Sequence, residues 1–162
     1  MRSERACVLI FTRQDLPVLT GEGIGGVSAI HAGVARGGYV VAQSGTGAPD
    51  VILMGSGSEV HIAHEAYSAL AGEGVNVRLV SLPCWSLFDE QDADYRESVL
   101  PASVSRRVSI EAGVTVGWQK YVGLNGVTIG VDTFGASAPY EKIYAEYGLT
   151  ASAVIAAAKG LL

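Results

Sequence analysis

The chain has 162 residues, of which 49% are hydrophobic and only 17% charged, with a formal net charge of −5. With a mean hydropathy of +0.32, this balance excludes a mostly disordered chain and gives about one domain's length. Eleven Lys and Arg against 16 Asp and Glu leave no basic footprint for nucleic acid, and no apolar run approaches the ~20 residues of a membrane span.

The elements are taken in chain order. The N-terminus, Met1-Arg2-Ser3-Glu4-Arg5, leads into no signal-peptide core, so the expected location is cytoplasmic. Ala6–Thr12 (ACVLIFT) is apolar throughout and predicts a short strand buried on both faces. Pro17 ends it. From Leu19 to Gly38 seven glycines fall without a period, which predicts a long loop between two domains. The regular part begins at Tyr39 (YVVAQ, a strand). The turn-rich stretch Ser44–Asp50 suits a hairpin-like reversal into the buried strand Val51–Met54.

Ser56-Gly57-Ser58-Glu59 has the form of a capping box. The helix after it carries Val60, Ala63, Ala66, Tyr67 and Leu70 at helical spacing and stops at Gly72 and Gly74. Val75–Leu82 reads as the next strand, ended by Pro83, Trp85–Phe88 as a short turn or helix, and Asp92–Val99 as a short helix. Arg107–Glu111 is a strand, Gly113–Val122 a helix, and Val127–Val131 the last strand. Tyr140–Tyr147 and Ala151–Leu162 are helices, with Thr150 as N-cap of the second. Strands alternating with helices predict a sheet covered on both faces. From Tyr39 onward it has five strands, the first antiparallel because a short reversal follows it.

Few motifs carry chemistry. Gly21-x-Gly23-x-x-Gly26 does not follow a strand directly, so it reads as linker rather than as a dinucleotide site. Gly55-x-Gly57 reads as tight strand-to-helix packing; there is no Walker lysine, and Glu59 would repel a phosphate. His61 and His64 lack further ligands and read as a solvated helix face, and His31 stands alone. Cys7 and Cys84 read as buried free thiols of a reducing compartment. Asp92 and Asp94 lie in a charged, exposed stretch. No Ser/His/Asp set or nucleophile elbow is present. Arg13 differs from all of these. It follows an apolar strand, at the kind of edge where open α/β folds bind ligands, and its forked guanidinium suits a phosphate.

A set of segments gives the chain a resemblance. These are Leu9-Ile10-Phe11-Thr12-Arg13-Gln14 with Leu16-Pro17, Arg36-Gly37-Gly38-Tyr39-Val40, and Pro49-Asp50-Val51-Ile52-Leu53 with Gly55-Ser56-Gly57-Ser58-Glu59-Val60. Further on come Phe88-Asp89-Glu90-Gln91-Asp92, Tyr95–Pro101, Glu111-Ala112-Gly113, Phe134-Gly135-Ala136-Ser137-Ala138 and Tyr147-Gly148-Leu149-Thr150. In order and spacing they resemble the C-terminal part of a transketolase. The runner-up is the corresponding part of a 2-oxo acid dehydrogenase β chain; Thr-Arg-Gln and Phe-Gly-Ala-Ser-Ala favour transketolase.

The resemblance implies a three-layer α/β/α fold with a mixed five-stranded sheet whose first strand is antiparallel. It implies that residues 1–17 are a remnant of the pyrimidine-binding domain, 18–38 the interdomain linker and 39–162 the C-terminal domain. The full enzyme would use thiamine diphosphate with Mg or Ca to move a two-carbon ketol unit between sugar phosphates in the pentose phosphate pathway. Neither the glycine-aspartate-glycine…asparagine motif of the coenzyme's diphosphate and metal nor the activating glutamate is found here. No cofactor, metal or catalytic residue is therefore expected of this chain, and the isolated chain is expected to be inactive. By the same resemblance Arg13 binds the substrate phosphate. The expected partners are the remaining transketolase domains and a second subunit. The alternative is a non-catalytic interaction or regulatory subunit of a split thiamine-diphosphate enzyme.

Overall fold

A computed structural model describes residues 8–19, 24 and 26–162. The elements are α1 (Val27–Ala35), β1 (Tyr39–Gln43), β2 (Val51–Gly55), a 3₁₀ turn (Gly57–Glu59), α2 (Val60–Gly72), β3 (Val77–Ser81), α3 (Trp85–Asp89) and α4 (Ala93–Val99). They continue with β4 (Arg107–Ile110), α5 (Gln119–Val122), β5 (Val127–Ile129), α6 (Tyr140–Glu146) and α7 (Ala151–Leu161). One five-stranded sheet runs in the order β1-β3-β2-β4-β5. β1 is antiparallel to β3, and the other pairs are parallel.

Successive strand residues point to opposite faces and so feed two cores. Val51, Leu53, Val77, Leu79, Val108 and Ile110 pack with Ala63, Ala66 and Leu70 of α2 and Val154 and Ala158 of α7. Ile52, Met54 and Val80 face the other way, onto Phe88, Val99, Trp118 and Tyr121 of the α3–α5 layer. This is the expected α/β/α sandwich, with β2, buried at all five positions, in the middle. Thr150 caps α7 as expected, accepting the Ala153 N–H at 3.2 Å, and Asp92 caps α4 by accepting the Tyr95 N–H at 2.7 Å.

Five expectations are corrected. The described part of the first apolar segment, residues 8–12, forms no strand and is exposed, with Ile10 at 91%. No strand among the described residues lies beside it to take its backbone hydrogen bonds. The glycine-rich stretch is not all loop, because it contains α1. Ala29, Ala32 and Ala35 favour helix there, and buried Gly33 lets the helix reach Tyr39, where a Cβ would come within 2.3 Å of the ring. Residues Gly21 and Gly23 of the glycine motif lie outside the described residues.

The reversal after β1 turns the chain but makes no hairpin: β1 pairs with β3, and β2 lies beyond β3. A strand as apolar as β2 is more stable inside the sheet than paired only at its edge. The helix expected over Gly113–Val122 is confined to α5. Gly117 has φ +96° against the Trp85 ring, and residues 113–115 are bonded instead to Val131 and Asp132. Finally, Cys84 is half-buried beside Ser86 rather than in the core, and Cys7 lies outside the described residues.

Candidate functional site

The topology decides where a site can form. From β2 the chain passes through α2 to β3 on one side. From β3 it crosses through α3 and α4 to β4 on the other side of β2. The connections after β2 and β4 therefore diverge, and the carboxyl ends of these two strands flank the crevice where open α/β sheets take ligands.

A carboxylate of the chain itself fills that crevice. Glu59, at the end of the turn after β2, is 3% exposed. Its Oε2 accepts the Ala112 N–H, just past β4, at 3.0 Å. Its Oε1 accepts the Tyr144 hydroxyl of α6 at 2.6 Å and the Ser58 hydroxyl at 2.7 Å. Three donors satisfy the buried charge, which alone would be costly to bury. The capping-box expectation is thereby corrected. Ser56 makes no side-chain cap, and Glu59 reaches across the sheet's end rather than back to its own helix. The glycine pair before it packs as expected: a Cβ on Gly55 would sit 3.2 Å from the Val60 backbone, and Gly57 has φ +57°.

Tyr144 is the titratable group most affected here. Burial first, and then its bond to Glu59 and that carboxylate's charge, push its pKa up to about 12; Ser58 and Gln14 act weakly in the opposite direction. Beside the cluster opens a groove of about 300 Å³, lined in part by Ala112, Gly113, Val131, Ile143 and Tyr144. Glu111 is turned away from it, accepting the Trp118 indole N–H at 2.8 Å.

The leading segment turns near this cluster, close enough for Gln14 to act on the Tyr144 phenol. Thr12 and Gln14 close a small bend: the Thr12 hydroxyl donates to Gln14 Oε1 at 2.9 Å, and the Gln14 N–H donates back at 3.3 Å. Arg13, between them, is exposed and forms no salt bridge among the described residues. The one binding residue expected from the sequence thus lies on a bend beside the carboxyl edge of the sheet.

The other candidates do not converge. His61 is bonded to the Ser58 carbonyl and His64 stacks on Tyr67. Asp92 serves as a helix cap. Burial lowers the pKa of Arg78 and Arg107, whose guanidiniums are occupied by backbone carbonyls such as Val99 and Tyr121. No group of three or more His, Cys, Asp or Glu that could hold a metal is present among the described residues. No described helix is long and apolar enough to cross a membrane.

The sequence reading missed the Glu59–Tyr144 cluster. The signal was present: Glu59 shares the 59, 62/63, 66, 70 stripe with Ile62, Ala63, Ala66 and Leu70, all buried. A carboxylate on a core-facing stripe needs partners, whatever motif it matches.

Residues 37–150 match the family model described as the transketolase-like TK C-terminal domain. A chloroplastic transketolase of Solanum tuberosum is 54% identical over 160 residues, which is 98% of this chain and 21% of that protein. A solved transketolase from Leishmania mexicana superposes with a TM-score of 0.73 at 42% identity, covering 80% of this chain and 18% of its own. A Pichia stipitis transketolase solved in complex with sedoheptulose-7-phosphate gives 0.71 at 34% identity, with 80% and 18% coverage. The chain therefore spans about a fifth of the length of these relatives.

Proposed function

The chain belongs to the transketolase family through its C-terminal domain, and from that premise we propose that it is the C-terminal part of a thiamine-diphosphate-dependent transketolase. In the assembled enzyme a two-carbon ketol unit passes from a ketose phosphate to an aldose phosphate, as in the pentose phosphate pathway. Thiamine diphosphate, when bound with its divalent metal, supplies the nucleophilic carbon that breaks the ketose chain. By the family's pattern the motifs for the coenzyme and its metal belong to the other domains, so we assign no step at them to this chain.

Its part is to bind and to pack. Arg13 is the phosphate anchor. The observation that carries this role is an exposed guanidinium on a bend beside the carboxyl edge of the sheet, within a segment family-like in sequence. A planar fork of N–H donors holds a phosphate at the end of the sugar and so fixes the distance to the reacting end. The phosphorylated sugar in the Pichia stipitis complex is of the class such an anchor serves. Residues 1–17 belong to the pyrimidine-binding domain, 18–38 to the connection, and 39–162 to the C-terminal domain, which packs against the other domains and a second subunit. The exposed side chains of Val8, Ile10 and Phe11 support that packing role.

Two measurements test the reading. Purified chain given thiamine diphosphate, magnesium and sugar phosphates should transfer no ketol unit; measurable transfer sinks the division of labour. In the assembled enzyme, Arg13→Ala should weaken phosphorylated substrates by roughly 1.5–3 kcal/mol and leave unphosphorylated ones nearly unchanged. Equal losses for both would remove the phosphate role.

A further inference from the structure

The connection that leads into the sheet is attached to it at several separate points. Leu19 and Ile24 pack on the core formed by one face of the sheet with α2 and α7. Gly33 of α1 lies so close to Tyr39 that a Cβ would come within 2.3 Å of the ring. Arg36 places its guanidinium 4.4 Å from the centre of the Tyr95 ring, and the Tyr95 hydroxyl donates to the Gly38 carbonyl at 2.8 Å. The Gly37 carbonyl accepts the Cys84 N–H at 3.0 Å, and a Cβ on Gly37 would sit 2.3 Å from the Cys84 oxygen. Among these parts α1 is the least able to form alone. It has nine residues, no side-chain cap and no acidic residue in its first turn. Helices shorter than about 12–15 residues are marginal in water, so α1 depends on the strand β1 against which it lies.

We propose that this connection is a strap docked on the C-terminal domain, not a hinge, and that it joins the preceding domain to this one without slack. The second half of the inference rests on the reading that residues 1–17 belong to the preceding domain. A flexible coil from Val18 to Gly38 would let the two domains stand about 25 Å apart. With Leu19 docked, only Val18 separates them, and it follows Pro17, whose φ is fixed. The glycines of the strap then serve close approach rather than flexibility: Gly33 admits the Tyr39 ring, and Gly37 admits the Cys84 carbonyl.

Trypsin tests this on the whole chain, because Arg13 and Arg36 are consecutive tryptic sites, one before the strap and one within it. Each rate is normalised to that of the same bond in the urea-unfolded chain. Cleavage after Arg36, where Gly37 is buried, should be at least about tenfold slower than after Arg13; a hinge would be cut at both alike. Gly33→Ala gives a test by sign. In a free helix Ala is the better former and would slow cleavage after Arg36. Against the Tyr39 ring the added Cβ displaces α1 and should speed it roughly tenfold. Tyr95→Phe keeps a ring under Arg36 and removes the bond to Gly38, and should speed the same cleavage roughly three- to tenfold, the scale of one hydrogen bond. Cleavage after Arg78, in β3, should not change in either variant. If Gly33→Ala speeds that cleavage too, the whole chain has loosened and Tyr95→Phe alone decides. Equal rates after Arg13 and Arg36, slower cleavage after Arg36 in Gly33→Ala, or no change in Tyr95→Phe overturns the strap. In the assembled enzyme cleavage after Arg13 should be suppressed as well. If it persists at the rate seen in the chain alone, the assignment of residues 1–17 fails while the docking stands.

Discussion

Val8–Thr12 (VLIFT) and Val51–Gly55 (VILMG) are nearly interchangeable in composition and have opposite surroundings. Leu53, in the middle of β2, is 0% exposed, with β3 on one side, β4 on the other and a helix layer on each face. Ile10 is 91% exposed and Phe11 80%. Apolar side chains alone do not make a strand. A strand also needs neighbours for its N–H and C=O groups, and β2 has two while residues 8–12 have none among the described residues. The first segment has the sequence of an interior strand, and the exposed side chains it presents suit a surface covered in a larger assembly.

The contrast can be broken at several points. The largest effect is expected from Leu53→Ala, which removes a fully buried side chain and should cost about 2–5 kcal/mol in denaturant unfolding. Next is Glu59→Ala. It strands the Ala112 N–H and the Tyr144 hydroxyl in a buried crevice and should cost about 1–3 kcal/mol by the same assay. A neutral result would mean that the crevice relaxes or admits water.

A smaller effect should appear at high pH. The Tyr144 phenol has its pKa raised from 10.0 to about 12, so the native state holds this proton more tightly than the unfolded chain. That stabilisation is whole below pH 10 and is lost as the pH rises through about 12. Tyr144→Phe should flatten this part of the Tm-against-pH curve, and identical curves for both proteins would remove the linkage. The smallest effect, within about 0.5 kcal/mol, is expected for Ile10→Ala in the isolated chain. The same substitution in the assembled transketolase should weaken it measurably. A large loss already in the isolated chain would show that residues 8–12 pack within it.

How much was legible in the sequence follows from where the signal lies. α2 and α7 were readable because their side-chain spacing matches the helical period, with a cap at Thr150 for α7, and β2 because a short apolar run stands between turn residues. α1 was not, since the glycines around it masked a nine-residue helix whose contact with Tyr39 depends on Gly33. The partner of β1 was not either. The turn residues of 44–50 specify a reversal, but Asn76 is what ties this loop to the start of β3, donating to the Thr46 and Ala48 carbonyls at 3.1 Å. Arg13 could be singled out by its place after an apolar run. Glu59 was passed over, although it lies on the buried stripe of α2, because its motif has a local explanation that the fold does not use.

The sequence by itself determined the α/β/α layering, the antiparallel first strand and the family, because these rest on periodicities and on ordered segments of successive residues. Only the tertiary structure decided that β3 stands between β1 and β2, and that the crevice between β2 and β4 is filled by the chain's own carboxylate. It also brought Gln14, the neighbour of Arg13, near Tyr144, 130 positions later in the chain. Each of these outcomes depends on groups far apart in sequence that must satisfy one another's hydrogen bonds once buried, and no local pattern of residues encodes that pairing.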